Sequence, residues 1–169
     1  MSAVPNMQRL LSDEAYAKID RELAKYPADQ RQSAVMAALA IAQVEKGWVS
    51  PEVVDDLARY IGMPPIAVHE VASFYNMYDT KPVGRFKLAV CTCLPCALRE
   101  GTAAGEYLKQ KLGIYYNETT ADGLFTLKES ECLGSCADSP VMLVNNQRMC
   151  SFMGADQIDA LIDELRSKA

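Results

Sequence analysis

Residues 86–96 read Phe86-Lys87-Leu88-Ala89-Val90-Cys91-Thr92-Cys93-Leu94-Pro95-Cys96. A largely apolar run ends in a cluster of cysteines, and a helical pattern follows from about Leu98 to Leu112. The run Phe86 to Val90 predicts a short strand and Cys91 to Cys96 a loop. Strand, loop and helix in that order set the cysteines at the end of a strand, where α/β folds commonly place ligand sites.

Downstream, Leu124 to Leu127 reads as a second strand and Ser130 to Pro140 as a loop. Val141 to Val144 and Arg148 to Phe152 read as two more strands, joined at Asn145-Asn146, a hairpin turn signal. A last helix, about Ala155 to Ser167, carries Ile158, Leu161, Ile162 and Leu165 on one face. The order βαβ, then ββα, is that of a thioredoxin-like domain. Upstream the pattern is helical. A helix starts at Ser12, an N-cap followed by Asp13 and Glu14, and ends at Tyr26-Pro27. A second runs from about Gln30 to Lys46 and stops at Gly47. A third opens with Ser50 and Pro51 and closes at Gly62, and a fourth begins near Pro64-Pro65. The fold class expected is α+β: a helical bundle over residues 1–80, then a thioredoxin-like domain over 81–169 with a four-stranded mixed sheet.

The chain has 169 residues and a net charge of −5. That balance argues against a nucleic-acid partner, which calls for a clustered basic surface. Met1 to Gln8 lacks the charged start and apolar stretch of a leader. The longest apolar run, Ala34 to Ala42, is about half a membrane span, so no direct membrane insertion is expected. This reading places the chain on the cytosolic side, where cysteines are more often metal-binding or catalytic than disulfide-bonded.

Five of the six cysteines fall in two groups. The first is Cys91, Cys93 and Cys96; the second is Cys132 and Cys136, in Cys132-Leu133-Gly134-Ser135-Cys136. An iron–sulfur cluster needs four thiolates converging on one inorganic core, and two loops with two ligands each supply them. Cys91 and Cys96 form C-x4-C, and Cys132 and Cys136 form C-x3-C, with Gly134 allowing a tight bend whose N–H groups can face sulfide. Three readings compete. Cys93 and Cys96 make a C-x2-C zinc half-site that Cys132 and Cys136 could complete. Cys93-Leu94-Pro95-Cys96 between strand and helix could be a dithiol redox centre, which leaves the second pair unexplained. All could be simple buried cysteines. Under the cluster reading Cys93 is a non-ligand neighbour, and Cys150 is a packed small apolar side chain.

His69, the only histidine, has no ligand-type pattern around it and reads as a helix residue at an interface. Phe74, Tyr75 and Tyr78 read equally well as a docking surface or as a seam between domains. Asp156, Asp159, Asp163 and Glu164 read as a solvated face of the last helix. There is no G-x-G-x-x-G after a strand and no P-loop pattern, so the chain shows no nucleotide site of its own and no complete active site.

Over almost its whole length the sequence resembles the NuoE family, the thioredoxin-like [2Fe–2S] subunits of respiratory NADH–quinone oxidoreductase (complex I). The resemblance is carried by Cys91-x4-Cys96, by Glu131-Cys132-Leu133-Gly134-Ser135-Cys136, by Gly47-Trp48-Val49-Ser50 within residues 43–50, and by Val68-His69-Glu70-Val71-Ala72-Ser73-Phe74-Tyr75. It implies one [2Fe–2S] cluster on Cys91, Cys96, Cys132 and Cys136, accepting an electron from FMN on a partner that binds NADH. The implied partners are that flavin subunit (NuoF-like) and a large iron–sulfur subunit (NuoG-like). The implied place is the peripheral arm, on the cytoplasmic side of a bacterial inner membrane. Similar subunits serve NAD-linked hydrogenases and formate dehydrogenases, the alternative assignment. The acidic balance should disfavour adding an electron, through space and against screening by water.

Overall fold

The computed structural model describes residues 9–169; Met1 to Gln8, on which the leader reading rests, lie outside the described residues. The described chain divides after Pro82 into two compact units.

The first unit is helical. Helix α1 spans Asp13–Leu23, and Ser12 Oγ accepts from the Ala15 N–H as its N-cap. Helix α2 spans Val35–Lys46 and ends on left-handed Gly47. Helix α3 spans Pro51–Ile61, capped by Ser50 and ended by left-handed Gly62, and helix α4 spans Pro65–Phe74. Two boundaries differ from the sequence reading. Helix α1 stops at Leu23, short of Tyr26-Pro27. The stretch expected to open α2 is instead a 3₁₀ segment, Ala28–Ala34, with a non-helical Gln30 (φ −122°, ψ 27°). Ile19, Leu39, Leu57 and Val68, all fully buried, hold the four helices together. A buried Tyr16 hydroxyl donates to Asp56, a carboxylate that also accepts from the Leu10 N–H and from Arg59. Burial first, then the hydrogen bond to Asp56, pushes that phenol up to about 12.

The second unit is a four-stranded sheet with helices. Strand β1 (Phe86–Cys91) pairs in parallel with β2 (Phe125–Ser130) and antiparallel with β3 (Met142–Val144), which pairs antiparallel with β4 (Arg148–Cys150). The strand order is β2-β1-β3-β4. A short helix α5 (Leu94–Ala97) and helix α6 (Gly101–Leu112) lie between β1 and β2, and α7 (Ala155–Ser167) closes the chain. This is the thioredoxin-like arrangement and the mixed sheet that the element order implied. Leu88, Leu127 and Met142 from the strands pack with Leu108 of α6 and with Ile158 and Ile162 of α7, all of them fully buried.

The structure corrects five sequence expectations in this unit. Cys91 is the last residue of β1, not the first of a loop. The loop that follows contains a helical turn, and the helix expected from Leu98 breaks at Glu100 (φ 67°) before α6 begins. The break has a steric cause. A Cβ on Gly101 would lie 2.8 Å from the Cys96 carbonyl oxygen and 2.9 Å from that of Cys91, so α6 starts where only glycine fits. Strand β2 runs on to Ser130, and β4 ends at Cys150 because Phe152 is left-handed (φ 54°). The turn Asn145-Asn146 holds positive φ at both residues (50° and 58°), a conformation asparagine tolerates.

The acidic face of α7 is not merely solvated. Asp159 accepts from Tyr107 at 2.7 Å and pairs with Lys111 at 2.7 Å, which ties α7 to α6. Arg148 grips Glu164 with both guanidinium nitrogens, at 2.6 and 3.0 Å. Hydrogen bonds from Arg148 and Lys168 hold the Glu164 carboxyl down at about 2. Among the described residues no helix is long and apolar enough to cross a membrane.

Candidate metal centre

The end of β1 sets the site. Burial runs almost without interruption along Phe86–Cys91, so the strand carries Cys91 into the interior at 0% exposure. Helix α5 then turns the chain back and brings Cys96 beside it at 1% exposure. The two thiols hydrogen-bond each other. Both pack on Val141, with Cys93 and Leu133 at the edge of the cluster.

The second pair comes from the loop after β2. Cys132 Sγ and Cys136 Sγ are 3.8 Å apart. Two sulfurs held about 2.3 Å from one tetrahedral metal lie about 3.8 Å apart, so this pair stands at chelating distance. It is also well beyond the roughly 2.05 Å of a disulfide. Gly134 (φ 78°) makes the bend between them, and its N–H donates to Cys132 Sγ at 3.4 Å.

Three links bring the loops together. The Leu133 N–H, in the second loop, donates to Cys91 Sγ in the first. The Cys91 N–H donates to the Val141 carbonyl at 3.1 Å, and Arg99 donates to the Ala137 carbonyl at 2.7 Å. Each pair of thiols feels the charge of the other. Among the described residues no group of three or more His, Cys, Asp or Glu is arranged to hold one metal ion. A two-iron core asks for two thiolates per iron.

The electrostatics push the two thiols of the first pair in opposite directions. Burial pushes Cys91 up, but N–H groups of Leu133 and Cys93 and the thiols of Cys96 and Cys93 outweigh it and hold Cys91 below the usual thiol range. Cys96 is pushed the other way, by burial first and then by its neighbour Cys91, against the opposing effect of Ser139. Cys136 is pushed up by its bond to Cys132. Cys93 also reaches Glu131: its sulfur donates to Glu131 Oε2 at 3.5 Å, and burial followed by that carboxylate pushes the thiol up to about 11. Cys150, the last residue of β4, is buried in the core of the second unit. His69 is exposed on α4. The aromatic set is split: Tyr78 is buried and its hydroxyl donates to the Met36 carbonyl at 2.7 Å, while Phe74 and Tyr75 are exposed.

Sequence reasoning did not find Ser139 or Arg99. Ser139 is buried at 3% exposure, and its hydroxyl has no hydrogen-bond partner. It lies beside the Cys96 sulfur, whose thiolate it favours against the dominant effect of burial. The only signal in the sequence was its position before Pro140 in the second loop.

A family model described as thioredoxin-like [2Fe-2S] ferredoxin matches residues 19–166. The chain is 39% identical over 149 residues to "NADH-quinone oxidoreductase subunit 2" of Thermus thermophilus, covering 88% of this chain and 82% of the relative. A Rhizobium meliloti relative, likewise named as a subunit of NADH-quinone oxidoreductase, is 39% identical over 150 residues, covering 89% of this chain and 88% of the relative. The chain is 38% identical over 157 residues to "NADH dehydrogenase [ubiquinone] flavoprotein 2, mitochondrial" of Dictyostelium discoideum, covering 92% of this chain and 63% of that protein. Among solved structures, an NAD+-reducing [NiFe]-hydrogenase in its H2-reduced state aligns with a TM-score of 0.69 at 24% identity, over 80% of this chain and 22% of the hydrogenase chain. That likeness speaks for the fold. With the family match running from Ile19 to Arg166, across both units and all four paired cysteines, the chain belongs to the thioredoxin-like [2Fe–2S] ferredoxin family.

Proposed function

We propose that this chain is the [2Fe–2S] electron-transfer subunit of an NADH–quinone oxidoreductase, with Cys91 and Cys96 holding one iron and Cys132 and Cys136 the other. The observation that carries the reading is the meeting of two thiol pairs, one buried at a strand end and one at 3.8 Å in a glycine-bent loop. Relatives named as subunits of that oxidoreductase, aligned over most of both chains, support the complex.

Such a cluster, when bound, takes up and releases one electron at a time. The chain's own residues set the conditions. Cys91 and Cys96 offer desolvated thiolates on a rigid frame. The N–H groups of Leu133, Cys93 and Gly134 face sulfur and offset its negative charge. The exposed Cys132 brings the second pair to the surface, where a redox partner can approach. The electron donor in this reading is FMN on a neighbouring flavin subunit that binds NADH. A large iron–sulfur subunit is the other neighbour, and the whole stands in the peripheral arm on the cytoplasmic side of the inner membrane.

Two rivals are weaker. A dithiol centre needs Cys93 and Cys96 paired, yet Cys96 bonds Cys91 and Cys93 bonds Glu131. The hydrogenase assignment rests on a likeness at 24% identity, which carries the fold alone. The test is to isolate the complex through a tag on this chain, reduce it with NADH and record the paramagnetic resonance spectrum. A [2Fe–2S] signal absent from the Cys132→Ala complex, with flavin content unchanged, is expected. The same signal in both complexes would reject the assignment.

A further inference from the structure

Ser139 is almost wholly removed from solvent, at 3% exposure, and its hydroxyl is the orphan among the described buried side chains. Burying a hydroxyl without a partner is unfavourable, and an alanine would occupy the same place without that cost. An orphan of this kind calls for a partner that the folded chain alone does not supply. Ser139 sits three residues after Cys136, its N–H reaching back to the Cys136 carbonyl at 3.4 Å. Two residues further on, Val141 packs in one buried cluster with Cys91 and Cys96. The Ser139 hydroxyl lies close enough to the Cys96 sulfur to favour that thiolate, but without the geometry of a hydrogen bond. As a thiol bonded to Cys91, that sulfur is a poor acceptor; as an iron ligand it has lost its proton and carries negative charge.

We propose that Ser139 is a positioning residue: its hydroxyl donates to the Cys96 sulfur of the assembled centre and raises the reduction potential of that centre. The proposal rests on the assignment of Cys96 as a ligand. The physical argument is differential. Reduction adds one electron to the core and part of that charge to its sulfurs, so a donor aimed at sulfur is held more tightly in the reduced state than in the oxidised one. Hydrogen bonds to cluster sulfurs act on the potential in this sense. Because the site is closed to water on the Cys96 side, the hydroxyl does not compete with solvent. The exposed Cys132 has no such shelter, so the same donor placed there would count for less.

The test uses the full chain loaded with iron and sulfide, as native protein, Ser139→Ala, Ser139→Gly and Ser139→Thr. Iron and labile sulfide per chain are measured first, then the potential by titration followed through the paramagnetic signal of the reduced form. Ser139→Ala and Ser139→Gly should keep the native iron content and shift to lower potential. At one poised potential the oxidised-to-reduced ratio should rise roughly three- to tenfold, tenfold being about 59 mV for a one-electron couple. Ser139→Thr, which keeps a hydroxyl, should recover most of the shift. A loaded Ser139→Ala with the native potential overturns the proposal by itself. A native chain that takes up no iron overturns it together with the ligand assignment on which it rests. Thermal unfolding of the iron-free chains adds an independent reading: Ser139→Ala should melt at or above the native chain, since the hydroxyl serves nothing there. A lower melting point would show that the hydroxyl already has a structural partner, and would reject the proposal even if a variant did not load.

Discussion

The two cysteine loops present the same chemistry on opposite kinds of support. Cys91 and Cys96 are 0% and 1% exposed, fixed by a strand end, a helical turn and the tight seat of Gly101. Cys132 is exposed and Cys136 half-buried, on a loop held by Gly134 and a short 3₁₀ turn at Cys136–Asp138. One pair is part of the fold; the other is attached to it. The difference separates two tasks of a redox centre. The buried pair fixes position and shields the core from water, which strengthens every hydrogen bond to sulfur. Under the proposed assignment, the more exposed pair would leave a side open for iron to enter and for an electron to pass. It also means that equal losses of iron can come with unequal losses of stability.

The largest effect expected is on iron. Cys132→Ala and Cys96→Ala should each lose the cluster, measured as iron and labile sulfide per chain; full iron in either would undo the pairing. Gly101→Ala comes next. Its Cβ would press on the Cys91 and Cys96 carbonyls at under 3.0 Å, so the first loop must shift. Overpacking of this kind costs about 1–3 kcal/mol, read by urea unfolding, and iron loading should fall with it. If Gly101→Ala is neutral in both, the first loop is less rigid than described. The clearest contrast is in the iron-free state. Cys96→Ala should destabilise by about 1 kcal/mol, the scale of one buried methyl-sized group. Cys132→Ala should stay within about 0.5 kcal/mol, as exposed substitutions do. Equal losses would erase the distinction between the pairs. The smallest effects on iron are at the bystanders. Cys93→Ala should keep the iron content, as should Cys150→Ala at a cost of about 1 kcal/mol for its buried sulfur. Iron loss in Cys93→Ala would move the first-loop ligand.

What the sequence made legible follows physical locality. Ser12, Ser50, Gly47 and Gly62 cap helices through groups within a few residues of themselves, and each does so in the structure. The parallel pairing of β1 with β2 follows from a helix between two strands, and the Asn145-Asn146 turn from a side chain that tolerates positive φ. The break before α6 could not be read the same way. The apolar spacing from Leu98 through Leu108 continues across it, and the cause is a backbone contact between Gly101 and residues five and ten positions earlier. The start of α2 failed for a related reason: Ala34 and Val35 pack in the core as a helix would, while the preceding residues take a tighter 3₁₀ path. At the site, spacing showed which cysteines could pair within a loop. It gave no sign that Leu133 donates to Cys91, that Arg99 ties down Ala137, or that the Ser139 hydroxyl is buried without a partner, because each depends on two loops meeting across the sheet edge.

The assignment stands on four thiolates from these two loops sharing one two-iron core. Iron, zinc and acid-labile sulfide analysis of the full chain, purified without air, decides it. Two irons and two sulfides per chain are expected, with both lost together when either Cys96 or Cys132 is replaced by alanine. A chain that carries one zinc and no sulfide, and keeps that content in Cys132→Ala, would refute it.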